Sequence, residues 1–263
     1  MKRQSRLNAI LDLLVRQGAL EVDEAALTLQ VSSATIRRDF DLLAEQQLLN
    51  RTHGGAVATG GSFKSPLTYK IVSQEDAKKR IANVAAQMVE RQQVVGLNGG
   101  TTTTEIARVL AKSPTFAAGT LGEPPSLTIV TNALNIATEL TVRHHIKIVV
   151  TGGVARPQSY ELTGPYAEQV LNDVSIDIAF VGVEGLNPNV GATASHEDEA
   201  RVNRQIAARA TRVIIVADSS KFERSAFAMI RTREEIDTII TDAGISEKTV
   251  NILESAGVKI VIA

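Results

Sequence analysis

The 263-residue chain contains no cysteine and no tryptophan. Without cysteine it has no disulfide framework, no thiolate zinc site and no cysteine nucleophile, and a reducing compartment is its expected setting. Aromatic residues are scarce, three Tyr and six Phe, which argues against a stacking platform for sugars or single-stranded nucleic acid. Apolar runs stay short of the roughly 18 residues that a membrane span needs. The opening MKRQSRLNAI leads into an amphipathic helix and has no apolar signal-peptide core. The expectation is a soluble cytoplasmic protein with no membrane partner. Excess charge is missing as well: 28 Lys+Arg stand against 29 Asp+Glu, a net charge of −1, so no globally basic surface marks a nucleic-acid binder. What is present is 44% hydrophobic residues, enough over this length to fill one large core or two ordinary ones.

The first 57 residues have their own rhythm. Leu7, Ile10, Leu11, Leu14 and Val15 follow the spacing of a helix with one buried face, and Gly18 stops it. A second helix is expected over 23–30, with Ala25, Ala26 and Leu29 inward. Ser32 then fits an N-cap for a third helix over 33–46 that buries Ile36, Phe40 and Leu43. Gly54 and Gly55 inside LLNRTHGGAV suggest a short hairpin. Residues 58–75, rich in glycine and serine and without a period, read as a linker. From residue 76 to 263, helical stretches alternate with short runs of Val and Ile such as VVGL, LTIV, IKIVV and VIIVA. Such runs suit a parallel sheet covered on both faces, joined by right-handed crossovers. The proline- and glycine-containing 113–126 reads as a surface loop. The expected fold is therefore α/β: a winged helix-turn-helix over 1–57 and a mostly parallel α/β domain over 76–263.

Three helices and a hairpin carrying SSATIRRDF on the third helix suit DNA. The outer side of that helix presents Ser33, Thr35, Arg37 and Arg38 near its N-terminus, where small residues allow close approach and arginines reach bases or phosphates. Arg51 and His53 on the wing add candidate backbone contacts. Charge is balanced even here: Lys2, Arg3, Arg6, Arg16, Arg37, Arg38 and Arg51 are matched by Asp12, Glu21, Asp23, Glu24, Asp39, Asp41 and Glu45. The other reading of Arg37 and Arg38 is a solvated helix face paired with Asp41. From Arg6 to Ala56 the pattern, including VSSATIRRDF and RTHGGA, resembles the DNA-binding domain of the DeoR family of bacterial transcriptional regulators. Phe40 departs from the usual leucine as one core residue for another. The resemblance implies double-stranded operator DNA as a partner and adds Arg6 to the candidate DNA-binding residues.

In the second domain, GLNGGTTTTEIA offers a phosphate site. Gly99 and Gly100 turn the chain after a buried strand, and Thr101, Thr102 and Thr103 open a helix whose amides attract an anion. It is neither a P-loop nor GxGxxG, and a plain strand-turn-helix capped by threonine is the alternative. Thr131 and Asn132, Gly152 and Gly153, and Lys221 within DSSK follow other strands. Ligands of open α/β sheets sit beyond such ends, so these residues are expected to converge on one pocket, although Lys221 also reads as a solvated loop residue.

This half resembles the DeoR-family effector domain, with GTTT, VTN, LTG, DIAFVGVEG and DSSKF in order. The family's domain is similar in fold to ribose-5-phosphate isomerase and amino-sugar-phosphate deaminases, which implies a phosphorylated sugar as effector. Asn98 stands where aspartate is usual, keeping hydrogen bonds and losing charge. An isomerase needs paired carboxylates, and the comparable stretch VGVEG offers only Glu184. Glu199 either lines the pocket or belongs to an acidic first helical turn. His144 and His145 lack a third ligand, so no metal site is expected, and no cofactor. The expected function is a repressor of carbohydrate-metabolism genes, acting as a homodimer or homotetramer because one short recognition helix carries too little specificity. An isomerase-like enzyme with an accessory DNA-binding module is the alternative.

Overall fold

The computed structural model describes residues 3–45, 49–57, 74–117 and 124–263, and the chain divides into two compact units, Met1–Ser73 and Gln74–Ala263. Most of the expected linker 58–75 and residues 118–123 of the expected loop lie outside the described residues.

The first unit runs α1 (Arg3–Gln17), β1 (Ala19–Glu21), α2 (Val22–Leu29), α3 (Ser33–Glu45), β2 (Asn50–Arg51) and β3 (Gly55–Val57). Leu7, Ile10, Leu11 and Leu14 of α1 meet Ile36, Phe40 and Leu43 of α3 in one core. Gly18, at φ 76°, ends α1 in the left-handed conformation that glycine adopts without strain. The Ser32 hydroxyl accepts the Thr35 N–H at 3.3 Å, capping α3. The hairpin is a three-stranded antiparallel wing in the order β1-β3-β2. Strand β1 has no periodic signal, because only Leu20 of its three residues is buried. Gly55 is fixed by that added strand: a Cβ there would lie 2.3 Å from the Leu20 carbonyl oxygen.

The second unit is built on a parallel sheet of seven strands: β4 (Val94–Leu97), β5 (Leu127–Thr131), β6 (Ile146–Val150), β9 (Ile176–Gly182), β12 (Ala210–Val216), β14 (Thr238–Thr241) and β15 (Lys259–Ile262). Their spatial order is β15-β14-β12-β9-β4-β5-β6. Alternate side chains of one strand enter different cores. Ile178 and Phe180 join Ile81, Ile106 and Ile136 from α4 (Glu75–Ala86), α5 (Thr101–Lys112) and α6 (Leu134–Leu140). Ala179 and Val181 join Leu171, Ile206 and Leu253 from α7 (Pro165–Asn172), α8 (Glu197–Ala208) and α9 (Glu247–Ser255). Coverage on both faces is why the inner strands are continuously apolar, whereas the edge strands β6 and β15 are partly exposed.

Two small additions have no counterpart in the apolar pattern. Strands β7 (Val154–Ala155) and β8 (Leu162–Thr163) pair antiparallel, and β10 (Gly185–Asn187), β11 (Gly191–Ala194) and β13 (Ala228–Thr232) form a second sheet. Their glycine, alanine and threonine content hides them from a hydrophobic count.

Candidate functional site

In the first unit, Arg37 and Arg38 stand exposed on α3, and among the described residues neither has a hydrogen-bond or ion-pair partner. Asp41, the alternative partner for them, is taken by Arg51 at 3.0 Å. Arg51 also donates to the Gly55 carbonyl at 3.1 Å and lies 5.5 Å from the Phe40 ring centroid. Its guanidinium therefore fastens the wing to α3. Ser33 donates its hydroxyl to Asp23 at 2.8 Å, tying α3 to the first turn of α2, while the Thr35 and Ser32 hydroxyls share a hydrogen bond of 2.9 Å. Ser33 thereby helps set the geometry of the helix pair, and Thr35 the start of α3. His53 is exposed in the wing turn.

Arg6 is placed differently from Arg37 and Arg38. Its side chain is 12% exposed and its Nε donates to Asp39, 2% exposed, at 2.5 Å, with Nη2 on the second carboxylate oxygen at 3.3 Å. The hydrogen bond to Asp39 raises the Arg6 pKa above its ordinary value. A guanidinium held this way joins α1 to α3. Arg6→Met, which keeps the aliphatic stem, leaves Asp39 buried without this cation and is expected to destabilise the protein by on the order of 3 kcal/mol. Urea denaturation of the full chain checks this, and a loss below about 1 kcal/mol contradicts the buried-pair assignment.

The second unit changes strand order between β4 and β9: β5 and β6 extend the sheet on one side and β12, β14 and β15 on the other. The crevice beyond the carboxyl ends at such a switch point is where open α/β sheets hold ligands. Asn98 bridges it. Its Nδ2 donates to the Gly182 carbonyl at 3.0 Å and its Oδ1 accepts the Gly182 N–H at 2.8 Å. An ionised aspartate can only accept, so asparagine satisfies both backbone groups where aspartate satisfies one. Asn98 is thereby a strut between strand ends.

After Asn98 the chain turns through Gly99 and Gly100 into α5. No side chain caps this helix N-terminus, leaving the first-turn amides for an anion. The Thr103 and Thr104 hydroxyls turn back onto the Gly100 carbonyl at 3.1 and 2.6 Å. Thr101 and Thr102 are buried beside them. Thr131 accepts the Ala133 N–H at 3.1 Å, bending the chain out of β5.

The turn rests on a residue that no motif announces. Tyr160 and Leu162 exchange backbone hydrogen bonds with Leu134 and Asn132, at 2.9 and 2.7 Å, and Glu161 is carried inward between them. Its side chain lies against Gly99 so closely that a Cβ there would stand 2.2 Å from Glu161 Cγ. Asn132 Nδ2 donates to Glu161 Oε2 at 3.1 Å and to Asn203 of α8 at 3.3 Å. Glu199 of α8 and Glu184 face the same carboxyl. Burial first, and then the charge of Glu199, push the Glu161 pKa up to about 8, against the opposing hydrogen bonds from Asn132 and Asn203.

Glu199 is occupied by Arg156 at 2.9 Å and the Ser159 hydroxyl at 2.8 Å. Glu184 accepts the Ser195 N–H at 2.9 Å and the Ser195 hydroxyl. The sequence pattern offers Glu184 and, as one of two readings, Glu199; the fold adds Glu161 as a third carboxyl beside them. Glu161, Arg156 and Asn203 are absent from the sequence-derived site, since their proximity depends on the β7–β8 excursion.

The expected convergence is incomplete. Gly153, at φ 119°, passes so close to Thr163 that a Cβ would lie 2.5 Å from its carbonyl oxygen; this glycine, with Gly152 at φ 72°, serves the β7–β8 crossing. Lys221 follows β12, and Gly152 follows β6. Four strand spacings separate those strands, about 19 Å, too far for backbone at both to hold one small ligand. Lys221 and the Gly99–Thr103 turn are closer, with β9 alone between their strands. Among the described residues no group of three or more His, Asp or Glu side chains is arranged to hold a metal ion, and no helix is long and apolar enough to cross a membrane.

Residues 6–60 match the DeoR-like helix-turn-helix domain, and residues 73–243 match the DeoR C terminal sensor domain. Over 260 residues the chain is 34% identical to the putative aga operon transcriptional repressor of Escherichia coli O157:H7, covering 98% of this chain and 93% of that protein. It is 30% identical over 243 residues to the glycerol-3-phosphate regulon repressor of Escherichia coli strain K12, with 92% of each chain covered. Among solved structures it is similar to a D-ribose-5-phosphate isomerase in complex with phospho-erythronic acid, at a TM-score of 0.40 and 23% identity over 56% of this chain and 54% of that one.

Proposed function

The chain belongs to the DeoR family of transcriptional regulators, and from that premise we propose that it represses carbohydrate-metabolism genes, with a phosphorylated sugar or sugar derivative setting its hold on operator DNA. The observation that carries the effector half is the uncapped α5 N-terminus behind Gly99 and Gly100, at the switch point of the sheet and beside buried hydrogen-bonding groups. It suits a phosphate joined to a polar body. The named roles of the relatives, an aga operon repressor and a glycerol-3-phosphate regulon repressor, support the same reading. Operator DNA is the partner of Arg37 and Arg38 on α3. The protein works in the cytoplasm as a homodimer or homotetramer, which places two or more α3 helices on one operator. Effector binding changes operator affinity by as much as the effector distinguishes DNA-competent from incompetent arrangements.

Three neighbouring carboxyls give the isomerase alternative a specific footing, since Glu161 holds a proton that an acid catalyst requires. Against it, Glu184 and Glu199 are each engaged by serine or arginine partners. Thermal-shift titration with pentose and hexose phosphates, their unphosphorylated parents and inorganic phosphate tests the proposal. Stabilisation that requires the phosphate, is lost in Lys221→Ala with Thr102→Val, and comes without turnover of the sugar is the expected result. Sugar isomerisation by purified protein establishes the alternative, and indifference to every phosphate removes the effector site.

A further inference from the structure

Against the Gly99 turn lies a buried hydrogen-bonding centre. Glu161 is 5% exposed and Asn132 is wholly buried. The Asn132 amide spends its Nδ2 on Glu161 and Asn203, while its Oδ1 is buried with no partner among the described residues. A buried acceptor in that condition calls for a donor from elsewhere. The charged groups facing Glu161 are Glu199 of α8 and Glu184 after β9, and Arg156 is spent on Glu199.

A third negative charge at this place would stand directly under the Gly99 turn, where an anion would bind. The neutral carboxylic acid avoids that and offers one donor and one acceptor.

Resting on the reading of this site as an effector site, we propose that Glu161 is a specificity-determining residue that, together with Asn132, hydrogen-bonds a hydroxyl of the phosphorylated effector. A hydroxyl donates and accepts at once. It can give its proton to Asn132 Oδ1 and take the proton of the Glu161 carboxyl, completing both. An ammonium group only donates, so it leaves the Glu161 O–H without an acceptor unless Glu161 ionises beside Glu184 and Glu199. The elevated pKa of Glu161 agrees with the neutral form at physiological pH. The phosphate cradle therefore supplies attraction common to every sugar phosphate, and the centre beneath it selects among them.

The test starts from whichever of ribose 5-phosphate, glucose 6-phosphate and fructose 6-phosphate the full-length protein binds most tightly, measured beside inorganic phosphate. Glu161→Ala is expected to lower the affinity ratio of sugar phosphate to phosphate about tenfold or more, and Glu161→Gln, which keeps a donor and an acceptor, to recover most of it. One deoxy analogue of the sugar phosphate binds wild type about tenfold more weakly than its parent, a difference that vanishes in Glu161→Ala. Wild-type affinity for the sugar phosphate falls above about pH 8 and that of Glu161→Gln does not, a readout that survives even where the alanine variant fails to fold.

Equal discrimination among deoxy analogues by wild type and both variants overturns the proposal. So does tighter binding of the 2-amino sugar phosphate that strengthens as the pH rises. If wild type binds neither phosphate nor any sugar phosphate, the effector-site reading itself falls, and this one with it.

Discussion

Replacing Arg37 and Arg38 together by alanine reduces the affinity for operator DNA about 100- to 1,000-fold while leaving the fold intact, because each arginine contact contributes roughly 1–3 kcal/mol. Both side chains are exposed on α3 without partners among the described residues, so their removal breaks nothing inside the unit. DNA selected by the wild-type protein from a random pool provides the target, and fluorescence anisotropy at several salt concentrations provides the readout. An arginine that contacts phosphate contributes about one unit to the slope of log affinity against log salt. One that reads a base edge instead relaxes the preference at one position of the site. Unchanged affinity for the selected DNA would falsify the placement of α3 in the groove. Arg6→Met provides the contrast: its effect on DNA binding follows loss of stability, through Asp39, and shows in denaturation before it shows in anisotropy. The distinction matters because both arginines and Arg6 carry the same charge in the same domain, and only burial separates their roles.

Stability of the effector-binding unit declines as the pH rises from about 4.5 to about 8, through Glu161. The folded carboxyl keeps its proton up to about pH 8, whereas the ordinary value is 4.5. Between these limits the folded state binds more protons than the unfolded one, so unfolding becomes easier with each step in pH, and above about 8 the effect levels off. The whole interval corresponds to on the order of 5 kcal/mol. Glu161→Gln removes the ionisable group from the same space. Its melting temperature is expected to lose most of the wild-type decline between pH 5 and 9, and to exceed that of wild type at pH 9. Parallel pH profiles for the two proteins would contradict a carboxyl kept neutral by burial. The physical cause is desolvation among like charges: Glu161 sits between the Gly99 turn, Asn132 and Asn203, with Glu199 and Glu184 facing it.

These two cases mark how the chain can be read. The apolar spacing of Leu7, Ile10, Leu14, Ile36, Phe40 and Leu43 reports the helices of the first unit, because a one-sided core requires that period. The runs VVGL and VIIVA report buried parallel strands for the same reason, IKIVV reports the partly exposed edge strand β6, and β4 and β6 begin and end where their runs do. Gly18, Ser32 and the Gly99–Gly100 turn are local chemistry, visible in one dimension because turn and cap need only their immediate neighbours. The near-neutral charge was the least informative number, since a formal sum does not say that Asp41 is bound by Arg51 while Arg37 and Arg38 remain outside.

Partnership across distance follows another rule. Arg6 with Asp39 and Glu161 with Gly99 are separated by 33 and 62 positions, and nothing in their neighbours' identities foretells the contact. Asn98 shows the boundary within one residue. The chain displays an amide where an acid is usual, but only the approach of Gly182 across the switch point reveals that the amide is needed to donate and accept together. Periodicity and turn chemistry are properties of contiguous chain, so they fix the elements, and motifs such as VSSATIRRDF and RTHGGA carry the family resemblance. Burial, and with it the choice between a structural and a ligand-facing polar group, arises only when distant segments exclude water from one another.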